Sequence, residues 1–247
     1  MTISDFNTVF WKEWKEIVME RSGGAGSYRP LILIGVLGVF TPFRMSPERF
    51  FSPFPLLIYA FFSAVVVTAV IADSFAGERE RHTLETLLAT RLPDRAILLG
   101  KVAASVAYGW IMAMLCVLAG TITQNVVNRS GGHLLLYHDS ASWLVLLLAP
   151  PLAGAAVATA GVLVSLHATT VRQAQQTLTV GVMVLGVSVV FVSGMLPMTW
   201  REWFFGIWVA WSPAILVLAA AGVVLAFDLL LLLASMARFQ RARLVLD

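Results

Sequence analysis

Six apolar runs, each bounded by charged or turn-forming residues, constrain this chain more than any other feature of its sequence. They fall at about 30–43, 54–72, 102–123, 143–166, 177–196 and 213–236, the first being short unless it begins before Tyr28. Crossing about 30 Å of hydrocarbon takes roughly 20 apolar residues. Backbone polar groups at that depth must be satisfied within the segment, which selects helices. Hydrophobic residues make up 59% of the 247 residues and charged residues 13%, against about 45–50% and about 25% in soluble domains. A soluble fold would need a charged exterior that this composition cannot supply. The expectation is an all-α integral membrane protein with six transmembrane helices. It forms one domain over 1–247, with an amphipathic helix and joint at 1–29, the spans at 30–236 and a tail at 237–247.

Charge sets the orientation. Thirteen of the 17 Lys and Arg fall in the N-terminal segment, the 73–101 stretch, the 167–176 connection and the tail, while Arg44, Arg49, Arg129 and Arg201 fall on the other side. Lys and Arg concentrate in cytoplasmic loops, so both termini and the 73–101 stretch are expected in the cytoplasm. The formal charge of +3 is small and dispersed, which argues against nucleic acid as a partner. Residues 1–21 lack the apolar core and cleavage site of a signal peptide, so insertion is expected to rely on the internal spans. Cys116, the single cysteine, sits inside an apolar run and reads as a small buried hydrophobe.

Residues 6–20 form an amphipathic pattern. Phe6, Phe10, Trp14, Ile17 and Val18 recur at steps of three and four, while Lys12, Glu13, Lys15, Glu16 and Glu20 fall largely on the other face. A helix lying at the membrane interface is expected, followed by a flexible joint at Gly23, Gly24 and Gly26. The aromatic segment 198–211, before the sixth run, reads either as an interfacial belt or as a short re-entrant helix pair.

The stretch 76–101, AGERERHTLETLLATRLPDRAILLGK, divides into three parts. Gly77, Glu78, Arg79, Glu80 and Arg81 make a charged exit from the second run. Thr83 to Thr90 reads as a short amphipathic helix with Leu84, Leu87 and Leu88 on one face, Glu85 exposed and Thr83 as N-cap. Pro93 ends it, and Asp94 is suited to cap the helix that becomes the third span. A helix held across the mouth of the bundle and joined to two spans could transmit a push from a soluble partner. As an ordinary loop, its charges would simply be solvated.

This string closely resembles the cytoplasmic-loop signature of permeases in the ABC-2 class of ABC transporters. The resemblance is carried by Gly77-Glu78, Arg79-Glu80, Thr83-Leu84-Glu85, Leu87-Leu88-Ala89-Thr90, Pro93 and Gly100-Lys101, with departures at His82 and Arg91. It implies that the loop is a coupling helix, between spans two and three, seated on an ATPase. It also implies a second permease subunit, identical or homologous, and two cytoplasmic ATP-binding subunits that carry ATP and Mg, in a prokaryotic inner membrane. Export is the direction expected from the resemblance. The chain has no G-x-x-x-x-G-K-[ST] phosphate loop, since Gly100-Lys101 is followed by valine and lacks the upstream glycine. The chain is therefore expected to be no enzyme and to hold no cofactor of its own.

Other constellations carry less. Asp228 lies inside the sixth run, where an acid costs about 2.5–3.5 kcal/mol near the centre, making it a candidate intramembrane polar site or a structurally satisfied acid. Pro150 and Pro151 interrupt the fourth run as a packing element or a hinge. His82, His133, His138 and His167 are scattered at run ends and loops, and no metal site is expected. A secondary transporter should show inverted repeats and paired in-span ionisable groups, and a membrane enzyme should show convergent polar residues; neither pattern occurs. A non-transporting membrane anchor of an ABC-type complex is excluded least well. Nothing in the sequence identifies a substrate.

Overall fold

The computed structural model describes residues 2–22, 28–81, 91–129, 133–195, 197, 199, 200, 202, 206 and 212–238. No strand occurs among them. Helix α1 spans Ile3–Ser22, and α2 (Tyr28–Ile34) continues through a π-helical segment, Gly35–Phe40, into α3 (Thr41–Phe43). A short α4 (Pro47–Phe50) precedes α5 (Pro53–Ala72), which runs through a second π-helical segment, Asp73–Gly77, into α6 (Glu78–Glu80). The long helices α7 (Asp94–Val127), α8 (Ser140–Ser165), α9 (Val171–Met195) and α10 (Pro213–Arg238) follow.

Four helical stretches among the described residues are long and apolar enough to cross a membrane: Pro53–Glu80, Asp94–Val127, Ser140–Ser165 and Pro213–Arg238. The Leu31–Phe43 stretch is apolar but shorter, and α9 is a further helix of 25 residues. The chain is thus an all-α membrane protein. Large apolar side chains stay exposed along the outer faces, including Leu118 and Ile122 on α7, Val184 and Leu185 on α9, and Val223 and Leu230 on α10. On a soluble protein such faces would be an association hazard; in lipid they are the solvent-facing surface.

Two helices extend beyond their apolar runs. The second run ends at 72, yet its helix continues unbroken to Glu80. The third begins at 102, yet α7 starts at Asp94 and holds 34 residues, roughly 51 Å at 1.5 Å per residue. Both extensions lie at the same end of the bundle, beside α1. Pro93 occupies the N-cap position of α7 in an extended conformation, and Asp94 falls in the first helical turn. The expected Asp94 N-cap is therefore displaced by one residue. A proline fits there because its missing N–H is not needed, and the acid still faces the positive end of the helix.

Helix α5 lies at the centre, against α7, α8 and α9. Val67, fully buried, fits between glycines of two neighbours: a Cβ on Gly109 of α7 would come within 2.6 Å of its Cγ2, and one on Gly154 of α8 within 3.4 Å. Small residues let the backbones approach closely, which drives helix packing in lipid. Pro150 and Pro151 sit inside a continuous α8, and Ser63 of α5 donates to the Pro150 carbonyl at 3.1 Å. At the end away from α1, the 44–53 connection folds back inward. Phe50 is 1% exposed and packs with Phe51 and Tyr137, while Gln124 of α7 donates to the Pro42 and Met45 carbonyls at 2.7 and 3.0 Å.

Helix α1 departs from the expected amphipathic division. Its buried stripe is Val9, Glu13 and Ile17, with Phe6, Phe10 and Trp14 half-buried at its margin. Val18, expected on the apolar face, is 44% exposed, whereas Glu13, expected on the polar face, is 3% exposed. The helix packs along α7, and the place of closest approach is Gly100, where a Cβ would meet Val9 Cγ1 at 2.6 Å.

Candidate functional site

The reason Glu13 faces inward is Lys101. Its side chain on α7 is fully buried, and Nζ donates to Glu13 Oε1 at 2.7 Å, Glu78 Oε1 at 2.9 Å, the Ser74 carbonyl at 3.0 Å and Ser74 Oγ at 3.2 Å. The Phe75 ring centroid lies 5.5 Å away. Ser74 in turn donates to Glu13 Oε2 at 2.9 Å. Lys12 closes the cluster from the exposed side, with Nζ 3.2 Å from Glu13, 3.3 Å from Glu16 and 3.4 Å from Glu78. A buried ammonium is tolerated only when paired and hydrogen-bonded, and here two carboxylates and two serine oxygens surround it. The cluster joins α1, the π-helical segment after α5, α6 and α7.

Electrostatics follow from that packing. Burial alone would raise the pKa of Glu13, but the adjacent Lys101 ammonium and then Lys12 outweigh it and hold the carboxyl below its ordinary value of 4.5. For Lys12, burial pulls downward, yet Glu13, Glu78 and Glu16 together hold its pKa above the ordinary lysine value. Glu13 and Lys12 are thus held in their charged forms through the neutral range. A narrow cleft of about 40 Å³ opens beside it, lined by Glu16, Asp73, Glu78 and Arg81 among others.

The charged run after α5 is fastened in several directions. Glu78 enters the Lys101 cluster. Arg79 Nη1 donates to the Leu166 carbonyl at 2.9 Å, where α8 ends. Glu80 Oε2 accepts from the Val171 N–H at 3.1 Å, where α9 begins. Arg81 Nη2 lies 3.4 Å from Asp73 Oδ1. A base at the carbonyl end of one helix and an acid at the amide end of the next match the helix dipoles. Four consecutive charges therefore tie together one end of the bundle, with partners on α1, α7, α8 and α9, and are more than a solvated loop. Gly77 precedes them at a tight contact, its Cβ position 2.6 Å from Asp73 Oδ1.

Thr83, Leu84, Glu85, Leu87 and Leu88 lie outside the described residues, as do His82, the glycine joint after α1, most of the 198–211 aromatic segment and the tail beyond Arg238. Asp228 is not part of the cluster, which α10 does not join. It is 5% exposed on α10, and neither carboxylate oxygen has a hydrogen-bond partner among the described residues. Pro150 and Pro151 belong to the α5–α8 packing and do not join the cluster. No group of three His, Cys, Asp or Glu placed to hold a metal occurs among the described residues. Lys101 entered the sequence reading only as part of the loop's closing Gly-Lys, and Glu13 only as a surface charge. The available signal was a lone lysine opening an apolar run, which requires a nearby acid from elsewhere in the chain.

A bundle of long apolar helices, with most of its described charges gathered at the ends, defines a multi-pass α-helical membrane protein. The sequence matches the profile of the ABC-2 family transporter proteins over residues 7–203. The chain belongs to that family and is a permease of the ABC-2 type. No curated protein and no solved structure matches it.

Proposed function

We propose that this chain is the membrane subunit of an ATP-driven exporter, with the Lys101 cluster and the charged run 77–81 forming the junction through which a separate ATPase moves the spans. The observation that carries this reading is the fastening of Glu78, Arg79 and Glu80 to three different helices in a chain of the ABC-2 family. A displacement applied to the segment after Arg81 would reach α5, α7, α8 and α9 together. In this reading Thr83, Leu84, Glu85, Leu87 and Leu88 form the coupling helix that touches the ATPase. Gly77, Glu78, Arg79, Glu80 and Arg81 relay its motion. ATP and Mg belong to the partner, and the complex contains two permeases and two ATPases.

Six spans, with both termini in the cytoplasm of a prokaryotic cell, complete the proposal. The four long apolar stretches, α9 and the Leu31–Phe43 helix supply the six, and the Lys/Arg bias supplies the orientation. Helix α1 then lies at the cytoplasmic interface, docked on α7. Pro150 and Pro151 act as a hinge only if α8 bends during the cycle.

Leu87→Asp tests the docking step, because in this reading it changes the partner-facing helix and leaves every residue of the buried cluster unaltered. The reconstituted complex should lose substrate-stimulated ATP turnover while the variant inserts and folds normally. Unchanged turnover would overturn the assignment. Glu78→Ala is a less selective test, since it also opens the cluster around Lys101.

A further inference from the structure

At the end of the bundle away from α1, a cavity of about 380 Å³ lies between α5, α8 and α10. That volume falls within the roughly 300–1,000 Å³ typical of small-molecule sites. Its described walls are entirely apolar, from Phe54 and Leu57 on α5 through Leu148 and Leu152 on α8 to Val217 and Val224 on α10. On α10, Val217, Ala221, Val224 and Asp228 follow one another at steps of four, three and four, and so share one face of the helix. Asp228 is one turn beyond Val224, about 6 Å along the axis.

The depth of Asp228 is fixed by a second contact. Ser235 Oγ donates to the Thr159 carbonyl at 3.1 Å, which sets the parallel helices α8 and α10 in register. Seven residues back along each, Asp228 is level with Leu152, among the last α8 residues to line the cavity. The carboxyl is 5% exposed and both oxygens lack a hydrogen-bond partner among the described residues. An acid so placed in a membrane span is costly unless a positive group meets it.

The chemistry of that group is narrowed by its surroundings. A divalent metal would need several oxygen ligands, and no metal-holding group of His, Cys, Asp or Glu surrounds the acid among the described residues. A zwitterionic phospholipid keeps its ammonium at the headgroup level, whereas Asp228 is ten residues from even the nearer end of α10 at Arg238, roughly 15 Å along the helix. A cation carried on an apolar body meets both demands. We propose that the α5–α8–α10 cavity, with Asp228 buried one helical turn beyond its inner end, binds a lipophilic monovalent cation whose apolar groups fill the cavity and whose charge is drawn toward the carboxylate. The site extends onto α10, outside residues 7–203 that match the family, and binding there needs no ATPase, so it stands apart from the coupling proposal.

The test uses the full chain in phosphatidylcholine nanodiscs and radiolabelled tetraphenylphosphonium, with empty nanodiscs as the blank. Saturable binding is expected, weakened by about tenfold or more in Asp228→Asn. It should also be lost in Ala221→Trp, which fills the cavity and leaves the acid in place. Tetraphenylborate, of the same shape and opposite charge, should show no saturable site. Absence of phosphonium binding by folded protein would overturn the proposal. So would equal affinity in a folded Asp228→Asn or Ala221→Trp variant, or equal binding of the borate. Should Asp228→Asn fail to fold, the tryptophan variant and the borate comparison decide the matter.

Discussion

Lys101 holds the junction together because, among the described residues, it is the cation that joins α1, the segment after α5 and α7. Replacing it by methionine leaves Glu13 and Glu78 with their surroundings intact and their principal partner gone. Removing one member of a buried ion pair typically costs about 3–5 kcal/mol, so Lys101→Met should lower the thermal unfolding temperature well beyond what Lys15→Met, a change on an exposed position, produces. The acid side gives a second signature. Glu13 is held below its ordinary value of 4.5, so its contribution is fully present above that value and is lost as pH falls through the lowered one. In Lys101→Met the attraction goes and burial remains, so the acid-side loss of stability should move to higher pH. A thermal-shift series against pH checks this, and an unmoved acid limb would show that Glu13 does not depend on Lys101. None of this was legible from α1 alone. Glu13 stands among Lys12, Lys15 and Glu16, a pattern that reads as a solvated face, and its partner is 88 residues away.

At the scale of elements, the apolar runs were readable because membrane-spanning length and composition are local properties. Their ends were not. The second helix continues to Glu80 and α7 begins at Asp94 because charges beyond the apolar runs find partners across the fold, which lets the helices persist past the point where composition alone would end them. The seat of α1 depends on a comparable non-local detail, the notch at Gly100. A Cβ there would stand 2.6 Å from Val9 Cγ1 and 3.2 Å from the Phe10 backbone nitrogen. Gly100→Val should therefore lift α1 from α7, at a cost of about 1–3 kcal/mol for the overpacked contact. Limited proteolysis should cut within Ile3–Ser22 faster in the variant, with membrane insertion unchanged. Equal protection would mean that α1 is held by the ion cluster alone.

On the scale of the whole molecule, the bundle has one charged, tightly fastened end and a body whose outer faces are apolar. In the proposed orientation, which rests on the Lys/Arg bias, the fastened end faces the cytoplasm. Cys116 is buried, so a cysteine introduced at Lys15, or at Leu134 on the opposite side, should be the main site labelled by a membrane-impermeant maleimide. Lys15→Cys should react only in opened cells or inverted vesicles, and Leu134→Cys in intact cells; the reverse pattern would invert the topology. The family was legible because the loop motif is local and charged. The way Glu78, Arg79 and Glu80 are spent on contacts within the chain was not, since each partner lies on a different helix. The central claim, that this junction receives force from a separate ATPase, is tested most directly by purifying the chain from its native membrane in a gentle detergent and identifying what accompanies it. The account predicts a stoichiometric soluble ATPase that is lost with Leu87→Asp; a folded permease that copurifies with no ATPase would contradict it.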